Sequence, residues 1–153
     1  MARGYAPVAV VLLLAVTVVA AAAVATAVPA LPGDPPPQRA VDADATSDGR
    51  VTVTLLSGEP LDTRSATVRV AVDGEPLAHQ PPVPYFAARG FRGGPAGPFN
   101  VAADSSWTVG ETASLQVAGT NSPDLRVGAT LTVRVLVGGH VVAVAETTVE
   151  TAS

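Results

Sequence analysis

The chain contains no cysteine and no lysine, only two histidines, and aromatic residues at 4% of its 153 positions. Without cysteine there are no disulfides, no thiolate metal sites and no thiol nucleophile, so any folded part must be stable by packing alone. All nine basic residues are arginine, set against 13 acidic ones for a net charge of −4. Nucleic-acid binding wants a dense positive surface, which this balance does not offer. His79 and His140 would need a third ligand, such as Glu75 or Glu146, to make a metal site. Neither has a recognisable triad partner, no serine lies in a nucleophile-elbow context, and the carboxylates are dispersed. Asp42, Asp44 and Asp48 depart from the spacing of a calcium loop, and the glycine-rich stretch 90–97 lacks the Gly-Lys-[Ser/Thr] ending of a phosphate loop. Asn100 and Asn121, the two asparagines, both fail the glycosylation sequon. The expectation is a chain with no enzymatic activity, no cofactor and no metal.

What is present begins with an uncharged stretch between Tyr5 and Gly33, directly behind Arg3-Gly4. Residues 8–28 (VAVVLLLAVTVVAAAAVATAV) are aliphatic except for Thr17 and Thr26. A helix rises ~1.5 Å per residue, so about twenty residues span a hydrocarbon core of ~30 Å. This segment therefore predicts one transmembrane helix in contact with membrane lipid. Arg3 lies on the short side and the next basic residue is Arg39, which leaves the first residues in the cytoplasm and the remainder outside the cell. Left uncut, the apolar segment anchors the chain; Ala25-Thr26-Ala27 also fits a signal-peptidase site, and a cut there would release a secreted domain. Pro7 suits the first turn of such a helix, and the alanines at 15, 20–23, 25 and 27 would let helices approach closely.

Residues 29–49 read as a linker. The first part (PALPGDPPPQRA) is proline-rich and favours a stiff extended spacer, and 41–49 (VDADATSDG) is acidic and soluble. From residue 50 the period changes to two. Strands are predicted over 50–56, 66–72, 75–80, 112–118, 130–137 and 140–149, with a short one at 99–102. Asp73-Gly74 and Gly138-Gly139 mark hairpins, and Pro81-Pro82 ends a ladder. About seven short strands without helical periodicity indicate an antiparallel sandwich or barrel. The fold class is mainly β: a transmembrane or filament helix, then a small antiparallel β-sandwich of immunoglobulin-like type at 50–153.

The segment 81–98 (PPVPYFAARGFRGGPAGP) is long for a small domain and holds Tyr85, Phe86 and Phe91 beside Arg89 and Arg92. These five residues form a candidate surface-contact loop, suited to an anionic sugar or a neighbouring subunit through charge and stacking. The competing expectation is a compact loop whose aromatics cap the sandwich and whose arginines are solvated. Trp107, the only tryptophan, is expected in the core or at a sheet edge.

The N-terminus resembles that of archaeal type IV pilins. The matching residues are Arg3-Gly4, then Tyr5-Ala6-Pro7-Val8 and the apolar run behind them. Ala6 stands where serine is usual, Ala9-Val10 where Ile-Gly is usual, and the acidic docking residue of many bacterial pilins is missing. Farther on, 57–62 (SGEPLD), 67–72 before Asp73-Gly74, and 106–112 (SWTVGET) are similar to haloarchaeal members. The resemblance implies a leader at 1–4, processing at Arg3, Gly4 and Tyr5 by a prepilin peptidase, and a retained filament helix at 5–28. It also implies other pilin subunits as partners, location at the membrane or in a cell-surface filament, and a structural or adhesive role. The alternatives are a membrane-anchored binding domain that does not polymerise, and a secreted β domain.

Overall fold

The structure, a computed structural model, describes residues 38–152. The predicted leader, the apolar segment 5–28 and residues 29–37 of the linker lie outside the described residues. Among those described, no helix is long and apolar enough to cross a membrane.

Alternation of apolar and polar residues builds the strands. They run β1 (Ala40–Ala45), β2 (Arg50–Ser57), β3 (Leu61–Asp62), β4 (Ala66–Val72), β5 (Glu75–Pro76), β6 (Ser106–Trp107), β7 (Thr112–Gln116), β8 (Thr130–Val137) and β9 (His140–Thr148). One sheet has the order β1-β2-β7, a second the order β5-β4-β8-β9, and β3 pairs with β6. Every one of these pairings is antiparallel. In β2 the residues Val51, Val53 and Leu55 are buried while Thr52 and Thr54 face outward. Val68, Val70 and Val72 of β4 and Leu131, Val133 and Val135 of β8 are buried in the same way and join one apolar cluster with them. Burying such a side chain contributes about 1.5–3 kcal/mol relative to leaving it exposed, so the alternation decides which face turns inward.

The two sheets are also hydrogen-bonded along one side. The Arg39 amide donates to the Val142 carbonyl at 2.8 Å, and the Glu150 amide to the Ala45 carbonyl at 2.9 Å. Thr46 and Glu150 form a parallel bridge there. β1 is thus a partner of β2 on one edge and runs beside β9 on the other.

The predicted ranges of β4 and β8 match the observed ones, and both hairpins turn where expected. Asp73 and Gly74 have φ of 50° and 80°, and Gly138 and Gly139 have 58° and 82°. Positive φ at both central residues is what a two-residue turn of this hand requires. Gly49, between β1 and β2, has φ of 97° and a second reason to lack a side chain: a Cβ there would run into the Val117 carbonyl oxygen.

Three expectations need correction. The linker assigned to 29–49 holds β1, and the folded body includes Gln38 and Arg39, whose side chains bond to the carbonyls of Val141 and Glu59. Alanine and aspartate are weak strand formers, so the alternation of Val41-Asp42-Ala43-Asp44-Ala45 reads as solvated chain; in the fold Ala43 and Ala45 are each only 3% exposed. A strand over 75–80 shrinks to Glu75–Pro76. Beyond it the Gln80 side chain replaces the ladder, accepting from the Val70 amide at 2.8 Å and donating to the Val70 carbonyl at 3.0 Å. The strand at 99–102 is instead a 3-10 turn at Gly97–Phe99, followed by a turn. Trp107 lies in the core, fully buried, with Phe99 edge-on at 5.3 Å and its indole N–H donating to the Glu111 carbonyl.

One buried polar residue ties the long loop to the body. Asn121 is 2% exposed. Its Oδ1 accepts from the His79 amide at 3.0 Å, and its Nδ2 donates to the carbonyls of His79 at 2.9 Å and Gly90 at 3.3 Å. Removing the carboxamide takes the partner from three half-buried backbone groups, the amide and carbonyl of His79 and the Ser122 amide, at about 1–3 kcal/mol for each left unpaired, while the Gly90 carbonyl keeps its bond from the Ala118 amide. Asn121→Ala is expected to lower the unfolding free energy by about 3 kcal/mol in urea titrations; a loss below about 1 kcal/mol would show that water replaces those bonds.

Candidate functional site

The five residues expected to form a contact loop divide between the interior and the surface. Tyr85 is 5% and Phe91 8% exposed, and their rings meet at 5.8 Å. Backbone bridges hold both: Tyr85 to Asn100, and Phe91 to Val117 next to β7. Phe86 faces outward at 68% exposure, and Arg89 and Arg92 are exposed. Neither guanidinium has a hydrogen bond or ion pair among the described residues. Arg92 borders a shallow hollow of about 400 Å³ shared with Asp48 and Asp124. Two of the three aromatics therefore cap the core, while Phe86, Arg89 and Arg92 face outward.

A larger cleft, of about 570 Å³, lies on the outer face of the β5-β4-β8-β9 sheet. Its floor comes from outward positions of β4 and β8, among them Arg69, Ala71, Thr132, Arg134 and Leu136, and its wall from Gly74, Pro76, Leu77 and Ala78. The shortness of β5 creates it: only two residues pair with β4, and the chain then rises away over the Gln80 clamp. Residues Arg69 and Arg134 are directly opposite in the β4–β8 register. Both are exposed, and neither has a hydrogen bond or ion pair among the described residues. Like charges in this position destabilise a sheet by a few tenths to about 1 kcal/mol. Val141 and Val144 flank the cations on β9, 41% and 51% exposed, and Glu146 lies opposite Thr132, with which it bonds at 3.4 Å.

The opposite sheet presents another chemistry. Asp42 and Asp44 face outward on β1, opposite Thr54 and Thr52 of β2, with Arg50 at the start of the same β2 face. The pair of arginines and the pair of aspartates thus sit on the outer faces of different sheets. Aromatics and arginines cluster visibly in the sequence at 81–98, whereas Arg69 and Arg134 stand 65 positions apart and only strand pairing joins them.

His79 is half-buried beside Asn121, and His140 is exposed at the β8–β9 turn. Among the described residues no three His, Asp or Glu side chains are grouped to hold a metal ion. The carboxyl of Asp62 is held below its ordinary value by the Arg64 side chain and amide, and that of Asp48 by the Thr46 hydroxyl and the Arg50 amide. Both are turn-building interactions. The Tyr85 hydroxyl is buried with no hydrogen-bond partner among the described residues, and burial pushes it up from 10 to about 12.

Two measurements follow from these placements. Tyr85→Phe removes an unpaired buried hydroxyl and is expected to raise stability by about 1 kcal/mol at neutral pH. Because the folded phenol ionises later than the unfolded one, the stability of the parent is intact below pH 10 and falls as pH rises towards about 12. The gap between parent and Tyr85→Phe in urea titrations should therefore widen over that interval, and a constant gap would refute the assigned cause. Arg69→Gln should raise stability by about 0.5 kcal/mol at low ionic strength, a gain that salt erases. A loss of stability instead would reveal a stabilising partner for this guanidinium.

No model of a known protein family matches the chain, and no curated protein matches its sequence.

Proposed function

We propose that this chain is a type IV pilin-like structural subunit, held by its N-terminal apolar segment and displaying an immunoglobulin-like β-sandwich at the cell surface. The observation that carries the reading is the uncharged run behind Arg3-Gly4, with no charged side chain from Tyr5 to Gly33. A folded body that starts by Gln38 and Arg39 is compatible with it, since the proline-rich stretch then separates two parts of different chemistry. The sandwich assignment is supported by strand order: β1, β2 and β7 in one sheet, and β4, β8 and β9 with the edge strand β5 in the other. That is the arrangement of the A, B and E strands against C, F and G, with C′ at the edge. The shared apolar cluster supports the same assignment.

On this reading a prepilin peptidase removes residues 1–4, and the apolar segment passes from membrane lipid to packing among sister subunits. The role is structural: the apolar segments form a filament's interior and the β bodies its outer surface. Surface adhesion is the wider activity that the resemblance suggests. The test is N-terminal mass spectrometry of the mature protein recovered from membranes or sheared surface filaments. A mature chain beginning at Tyr5 is expected. One beginning at Val28, found free in the medium, would replace this reading with that of a secreted domain.

A further inference from the structure

We propose that the Arg69–Arg134 face of one copy docks onto the Asp42–Asp44 face of a second copy, so that successive β bodies stack front to back. The inference rests on the sandwich and filament reading above, and it assigns the bodies a share in ordering the assembly.

The charges match in number and kind. Over β4, β8 and β9 one outer face carries Arg69 and Arg134 with one carboxylate, Glu146; over β1 and β2 the other carries Asp42 and Asp44 with one guanidinium, Arg50, and Arg92 lies farther off, beside Gln116 of β7. Two cations and an anion thus face two anions and a cation. Spacing agrees as well. Asp42 and Asp44 are two residues apart on one strand, about 7 Å along it. The directly opposed arginines have Cα atoms about 5 Å apart and long side chains that splay to meet such a pair. Around the charges, the exposed Val141 and Val144 would lose water against the methyl groups of Thr52 and Thr54.

A second copy also accounts for the unfavourable Arg69–Arg134 juxtaposition. Within one molecule nothing described neutralises the pair, whereas two aspartates of a neighbour would turn a repulsion into charge-assisted hydrogen bonds. Because the two faces belong to different sheets of a sandwich, the contact is heterologous. Each copy then keeps one free face of each kind, which gives an open row, not a closed pair.

The experiment uses full-length chain in detergent micelles, read by mass photometry across protein and salt concentration. The parent is expected to form rows that shorten as salt rises. Arg69→Glu/Arg134→Glu and Asp42→Arg/Asp44→Arg should each weaken self-association by about a hundredfold or more, since each sets like charges face to face. All four residues are exposed, so urea unfolding close to that of the parent would confirm intact folds. An equimolar mixture of the two reversed variants should associate again, because each supplies the complement of the other. A reversed variant that associates like the parent overturns the proposal, and so does a mixture that stays apart. A parent that remains single but binds polygalacturonate through the two arginines also overturns it, assigning the cleft to an anionic sugar. Failure of this test with a mature N-terminus at Tyr5 would leave the pilin-like reading standing; a start at Val28 would remove that reading whatever the bodies do.

Discussion

Two antiparallel sheets that share one apolar cluster, with no covalent cross-link anywhere, set the terms for the rest of this molecule. Each strand has only two faces. Once Val51, Val53 and Leu55 of β2 and Val68, Val70 and Val72 of β4 turn inward, the residues between them must face out. That constraint puts Arg69 opposite Arg134 on one sheet and brings Asp42 and Asp44 to the surface of the other. The charge layout of the two faces is thus a consequence of the core, reached through the two-residue period of the strands.

The edges and the long loop meet the same demand by other means. β5 is too short to cover β4, and Gln80 together with the Leu77 amide satisfies the Val70 backbone in place of a longer strand. Thr63 does similar work under the β3–β6 pair, its hydroxyl 2.9 Å from the Pro98 carbonyl and 3.1 Å from that of Ser105. Asn121 ties 79 and 90 together beneath the loop, and Tyr85 and Phe91 close the core above it. Buried polar groups are costly unless paired, so these few side chains settle where an otherwise irregular segment runs. The Tyr85 hydroxyl departs from that pattern.

Much of the β body was legible in the sequence because its strongest strands use the residues that announce a strand. β4 (ATVRVAV) and β8 (TLTVRVLV) alternate β-branched with polar residues and are bounded by Asp-Gly and Gly-Gly turns. β1 was obscured for the opposite reason: its inward residues are alanines, whose small apolar surface gives a weak periodic signal, and its outward ones are aspartates. The two-residue strands β3 and β6 are too short to carry any period. Pairing Arg69 with Arg134 needed the β4–β8 register, which no local pattern contains. The aromatic and arginine cluster at 81–98 was visible at once, yet composition could not tell that Tyr85 and Phe91 turn inward while Phe86 turns out.

On the proposed reading the apolar segment and the β body both take part in assembly, the first through close packing of small side chains and the second through opposite charges. The chain's lack of cysteine allows a direct measurement of that idea. Cells displaying the Thr54→Cys/Val144→Cys variant, which places a thiol beside Asp42 and another beside Arg134 and keeps all four charges, would be treated with a short bis-maleimide and their surface protein resolved by denaturing electrophoresis. The account expects a ladder of covalent multimers that is absent from either single-cysteine variant. A double variant whose two thiols react with a monofunctional maleimide, yet which yields only single chains with the cross-linker, would contradict it.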